Sequence, residues 1–257
     1  MVPALRIETR QILNKSQRTQ RRVAVTRKKM ARPCVLCLHG YAQSAAEMEA
    51  FMAPTVEALK GLFEFRFVDA PHRAQATELI LTEGLANPRC WWLAQKNVRE
   101  EWEYNGVSAA LDCVAAAEHA LVRETGKGFE GILGFSQGAA MASLVAALFA
   151  RHSEAAPLQS LRFAVLVSGF PWRDVKTGHR QLFEAPTPIS LPSLHVISDE
   201  DQVVKPRLSD ALARFFAEPA WYRHDSGHRV PREPAWLAAF ATFLASASSG
   251  ASGRSKL

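Results

Sequence analysis

"GILGFSQGAAMASLVAALFA" (131–150) decides how the rest of this chain is read. Four small or apolar residues lead to a phenylalanine, then one serine, then an alanine-rich run. A serine buried at the junction of a strand and a helix would need a partner for its hydroxyl. At the tip of a sharp strand-to-helix turn the same residue makes sense. Gly134 to Gly138 spell G-x-S-x-G, in which the serine is held on a strained turn and small neighbours let the helix pack close. Ser136 is therefore the candidate nucleophile.

Working outward, the flanking segments alternate between strand and helix patterns. Apolar runs of strand length occur at 33–38, 65–68, 131–135, 162–169, 193–198 and 220–228. Helical patterns lie between them, at about 45–60, 106–125, 138–151, 207–217 and 233–246. Strands apolar on both sides imply a mostly parallel central sheet covered by helices on both faces, an α/β architecture. No internal repeat is visible.

Composition bounds the partners. The 257 residues carry a net charge of +6, and residues 1–30 alone hold nine Lys/Arg against one Glu. The remainder has 22 basic and 24 acidic side chains, so the basic character belongs to a tail and not to a nucleic-acid-binding face. Residues 1–30 are expected to be a disordered extension, with Met30 as an alternative start, and 31–246 the folded domain. Residues 247–257 read as a flexible tail ending in Ser255-Lys256-Leu257, a peroxisomal address that an import receptor would recognise. The expected location is peroxisomal or cytoplasmic. No apolar stretch has the length of a membrane span. Of the four cysteines, Cys34 and Cys37 form C-x-x-C inside a strand, where residues three apart face opposite ways. That geometry disfavours a zinc site or redox pair and fits reduced thiols.

Two connections, 71–104 and 170–190, are longer than an α/β unit needs, and they hold Trp91, Trp92, Trp102 and Trp172. Tryptophan argues against disorder, so these insertions are expected to wall a substrate pocket.

A serine hydrolase of this architecture follows its nucleophile with an acid and then a histidine. His152 lies near a helix end, His195 inside an apolar strand, and His179 in the second insertion. His228 follows Ser-Gly in a loop after the last strand, where the general base belongs; His224 is its rival. The strand "SLHVIS" ends in Asp199, Glu200 and Asp201, and spacing alone leaves Asp199 and Asp201 open as the partner of His228. The oxyanion would be held by the backbone N–H of Gln137 and by one from "LHGYAQS" (38–44), with Tyr41 the choice. His39 is expected to hold that loop and to border the pocket.

The segments "VLCLHGYAQSA", "GILGFSQGAAMA", "PSLHVISDEDQVV" and "HDSGHRVP" resemble those of the FSH-type serine hydrolases, small α/β-hydrolases, over about residues 31–245. The resemblance implies Ser136 as nucleophile, His228 as base and Asp201, the acid before x-V-V, as third member. It also implies that Trp91-Trp92 is an aromatic pair near the substrate region, and that the activity is esterase or thioesterase, without metal or cofactor. One departure is Lys205 before Pro206, which lengthens a turn slightly. The expected substrate is a small-molecule ester or thioester. The rival expectations are an amide-bond hydrolase and a non-catalytic binder of the same fold.

Overall fold

Strand β1 (Cys34–Leu38), β7 (Gly131–Phe135), β8 (Phe163–Val167) and β9 (Ser193–Ser198) are buried along their whole length. Such strands need cover on both faces, and they get it. The computed structural model describes residues 32–76 and 86–249, with side chains to 247. The basic extension, the alternative start and the Ser-Lys-Leu end lie outside the described residues.

The six-stranded sheet is entirely parallel, in the order β10-β9-β8-β7-β1-β2, with β2 at Glu64–Val68 and β10 at Pro219–His224. The period-two alternation divides its side chains into two cores. Leu36, Leu38, Ile132 and Leu166 face α2 (Val107–Thr125) and α3 (Gln137–Arg151). Val35, Leu133, Val165 and Val196 face Met48 and Met52 of α1 (Ala45–Leu59) and Trp236 and Phe240 of α6 (Pro234–Ser249). The same alternation sends Cys34 to one core and Cys37 to the other, and burial pushes the Cys34 thiol up to about 12. Helix α1 begins at a capping box in which Ser44 and Glu47 satisfy each other's backbone N–H groups.

Three elements depart from the pattern read in the sequence, each for a tertiary reason. Helix α5 (Pro206–Ala213) stops four residues early, because the chain turns out to bridge Phe216 to Ile189. Strand β10 ends at His224, freeing residues 225–230 as a loop with Gly227 at φ 76°. The first insertion is not a plain loop. It contains two short antiparallel ladders, β3 (His72–Arg73) with β4 (Arg89–Cys90) and β5 (Leu93–Lys96) with β6 (Trp102–Asn105).

The second insertion, which includes α4 (Gln181–Glu184), is tied to the first through one buried acid. Asp174 Oδ1 accepts the N–H groups of Tyr104 at 2.8 Å and Lys176 at 3.2 Å, and Oδ2 accepts the N–H of Thr177 at 2.7 Å and the Thr177 hydroxyl. Val175 N–H adds a bond to Trp102 O at 3.0 Å.

The strand order reverses between β1 and β7, the place where open α/β sheets hold ligands. Helix α3 starts there, pressed against the end of β1: a Cβ on Gly138 would lie 2.1 Å from Leu38 O and 2.5 Å from His39 O. Gly138→Ala must therefore shift either the helix or β1, at a cost of about 1–3 kcal/mol, read as a lower midpoint in urea unfolding. Asp174→Ala leaves a buried backbone donor without its acceptor and should cost about 3 kcal/mol, lowering Tm by roughly 6–12 °C for a domain of this size. Burial raises the Asp174 carboxyl pKa, but its four donors outweigh that and hold it below the ordinary value. Its contribution is thus complete above the ordinary aspartate pKa and lost as pH falls through the lowered folded value. Asp174→Asn should flatten the acid limb of a stability–pH curve.

Candidate active site

Strand β7 runs straight into the elbow. Ser136 adopts φ 52°, ψ −115°, a conformation that non-glycine residues seldom take. Its N–H donates to Val167 O at 2.8 Å, and its carbonyl accepts from Ala139 and Ala140 to open α3. A Cβ on Gly134 would lie 2.2 Å from Gly138 O, so the strand can pass under the first helical turn only without a side chain there. The strained turn leaves Ser136 at the C-terminal rim of the sheet, the residue only 9% exposed.

Two loops from further along the chain meet it. His228 Nε2 lies 3.0 Å from Ser136 Oγ, and His228 Nδ1 lies 2.7 Å from Asp201 Oδ2. The other Asp201 oxygen accepts the N–H groups of Val203 at 2.9 Å and Val204 at 2.8 Å. Asp201 is 2% exposed. Its burial alone would raise the carboxyl pKa. The hydrogen bond and charge of His228, the Val204 N–H and the Ser168 hydroxyl outweigh that and hold it below its usual value. An anionic Asp201 accepts the Nδ1–H, which leaves Nε2 free to take the serine proton. The His228 loop is pinned by Gly227 N–H donating to Ser198 Oγ at 2.9 Å, and the ring packs 4.8 Å from the Phe135 ring.

The alternatives fall elsewhere. Asp199 pairs with Arg223 on the surface, 2.5 Å away. His224 is buried, stacked on Tyr222, and accepts the Ser226 N–H at 3.2 Å. His195 sits in the core against Phe216 and is pushed down to about 3 by burial. His152 caps α3, and His179 lies against Thr177 and Trp172.

In the loop after β1, Gly40 N–H donates to the Gln43 side chain at 2.9 Å and Ala42 N–H to Arg89 O at 2.8 Å. Tyr41 N–H, between them, donates to no group among the described residues. Gln137 N–H is likewise uncommitted, as the first donors of a helix are. Tyr41, Gln137 and Ser136 line one cavity of about 300 Å³ with Trp92, Trp102, Tyr104, Phe170, Arg173, Val204 and Leu208.

The expected pocket wall needs three corrections. Trp91 has no exposed surface: its indole Nε1 donates to His39 O at 2.8 Å and the ring packs on His39. His39 is also wholly buried. Its Nδ1 donates to Gly40 O at 2.7 Å while Nε2 accepts from Ala70 N–H at 3.0 Å, and burial lowers its pKa, keeping it neutral. Both support the loop and neither borders the cavity. Trp172 lies under the wall, 5.0 Å from the Trp92 ring and 5.1 Å from the Tyr104 ring, and opens instead onto a neighbouring recess. Trp92 does line the cavity.

Sequence reasoning also missed the Gln137 side chain. Its Oε1 accepts Trp91 N–H at 2.8 Å and its Nε2 donates to Trp92 O at 2.9 Å, clamping the first insertion to the elbow. Nothing in the linear pattern signals that contact, which spans more than forty residues. Tyr104 was findable: Trp102 and Tyr104 stand two apart, on one face of a strand.

The comparisons with known proteins agree with this architecture. A family model described as "Serine hydrolase (FSH1)" matches residues 29–240. The protein "Esterase OVCA2" of Danio rerio is 30% identical over 226 residues, covering 82% of this chain and 95% of that protein. Among solved structures, Arabidopsis thaliana SOBER1 superposes with a TM-score of 0.56 at 18% identity, over 85% of this chain and 100% of that one. Zea mays acyl-protein thioesterase 2 does so with a TM-score of 0.57 at 20% identity, over 87% and 96%. The fold is that of the α/β-hydrolases, and the chain belongs to the FSH1 family of serine hydrolases.

Proposed function

We propose that this chain hydrolyses carboxylic esters with an apolar acyl portion through an acyl-enzyme on Ser136. The observation that carries the reading is the unbroken hydrogen-bond chain from Ser136 Oγ through both nitrogens of His228 to Asp201. His228 Nε2 accepts the serine proton as Oγ bonds to the ester carbon. Tyr41 and Gln137 N–H groups donate to the oxygen that becomes negative. When the bond to the leaving oxygen breaks, Nε2 returns the proton to it. Water then repeats the sequence on the acyl-enzyme and frees the acid. Throughout, Asp201 holds Nδ1–H in place and offsets the imidazolium charge.

The aromatic lining of the cavity supports an acyl chain over a sugar. It suits a thioester as well as an oxygen ester, so acyl thioesters form a second arm of the test. Purified protein should be offered p-nitrophenyl esters, acyl thioesters and peptide amides of matched acyl groups. The esters or thioesters should turn over far faster than the amides. A fluorophosphonate probe should label the wild type and leave Ser136→Ala unmodified. Ser136→Ala should lose at least about 10³-fold in kcat/KM, and Asp201→Asn about 10²–10⁴-fold by releasing the imidazole from its tautomer. A wild type that stays unlabelled and inert on the whole panel would sink the reading and favour a binding role for the fold.

A further inference from the structure

The cavity beside Ser136 is lined mostly by aromatic and aliphatic side chains, yet Arg173, half-buried, is part of its wall with Trp92, Trp102 and Tyr104. A guanidinium does not deprotonate at working pH, so its charge is permanent. Taking such a charge partly out of water is costly unless an anion meets it. Among the described residues none does. The adjacent carboxylate, Asp174, is already committed to Tyr104, Lys176 and Thr177. The neighbouring cations are satisfied: Arg180 pairs with Glu184 at 2.5 Å, and Lys176 Nζ donates to Asn105 Oδ1 at 2.6 Å. Arg173 lines both this cavity and the neighbouring recess that holds Glu101 and Glu184, and it forms an ion pair with neither carboxylate.

The layout says which half of a substrate would meet it. Ser136 lines the aromatic cavity with Tyr41 and Gln137, the residues whose N–H groups are uncommitted. His228 instead lines a separate recess of about 340 Å³ with Phe51, Phe135 and Val230. The general acid must reach the leaving atom, so the leaving group lies on the His228 side. The acyl group then fills the aromatic cavity and runs toward Arg173.

We propose that the preferred acyl group carries a second carboxylate remote from the scissile carbonyl: the substrate is a half-ester or half-thioester of a dicarboxylic acid. Its methylenes pack on Trp92 and Trp102, and its free carboxylate takes the Arg173 guanidinium in paired hydrogen bonds. This rests on the acyl-enzyme reading above and adds the substrate class.

The test compares the p-nitrophenyl monoester of adipic acid with p-nitrophenyl hexanoate, equal in chain length and different only in the terminal charge. The quantity read is the ratio of the two kcat/KM values. The wild type should favour the half-ester. Arg173→Gln should lower the ratio at least tenfold, and Arg173→Lys, which keeps the charge without the fork, should fall between. Free adipate should also inhibit the wild type more strongly than hexanoate does, a readout that survives if Arg173→Gln folds poorly. An equal ratio in the wild type and both variants, or equal inhibition by the two acids, overturns the proposal. Fluorophosphonate labelling of Ser136 with an unchanged ratio overturns this proposal alone. Absence of labelling removes the acyl-enzyme reading and the proposal with it.

Discussion

The site depends on how closely the first turn of α3 can approach the ends of β1 and β7. Gly138 lies against the carbonyls of Leu38 and His39, and Gly134 against the carbonyl of Gly138. No side chain fits at either place. That approach forces the backbone at Ser136 into its strained conformation. It also brings Gln137 to the same cavity as Tyr41, which comes from the loop after β1. The strain is over-determined by the rigid strand on one side and the fully buried helix on the other, which is how such conformations persist. Every residue from Gln137 to Ala147 is buried, and their small side chains let the helix sit flat on the sheet.

A second layer of support lies outside the elbow. The Gln137 amide grips the backbone of Trp91 and Trp92, and the Trp91 indole grips His39 O. Asp174 joins the second insertion to β6, and Trp172 packs tilted against Trp92 and edge-on to Tyr104. The two insertions thus form one wall. Behind its aromatic rings the Trp91 indole and the Asp174 carboxylate have their partners, whereas the buried Trp172 Nε1 has none among the described residues. Residues that look like pocket residues in the sequence, Trp91, Trp172 and His39, serve as this backing.

Much of the architecture could be read before any coordinates. The apolar runs at 131–135 and 193–198 coincide with β7 and β9, since a strand covered on both faces must be apolar throughout. The elbow was legible because G-x-S-x-G is a local solution to a local steric problem. Helix α5 and β10 were read too long, since what ends them is a bridge to Ile189 and the swing of the His228 loop, neither visible in a periodicity. The ladders of the first insertion escaped for a similar reason: strands of two to four residues are too short to show a period.

The sequence by itself determined which segments become strands and helices, which residue sits on the elbow, and the chain order of hydroxyl, carboxylate and imidazole. These follow from side-chain periodicity and turn stereochemistry, properties of a few neighbouring residues. Spacing left Asp199 and Asp201 open and the resemblance implied Asp201, which the tertiary structure sets against His228; only the tertiary structure decided that Trp92 borders the cavity while Trp91 is buried beneath it, and that Arg173 stands there without a partner. Those outcomes depend on contacts between residues tens of positions apart, and such contacts exist only once the sheet has closed its two cores.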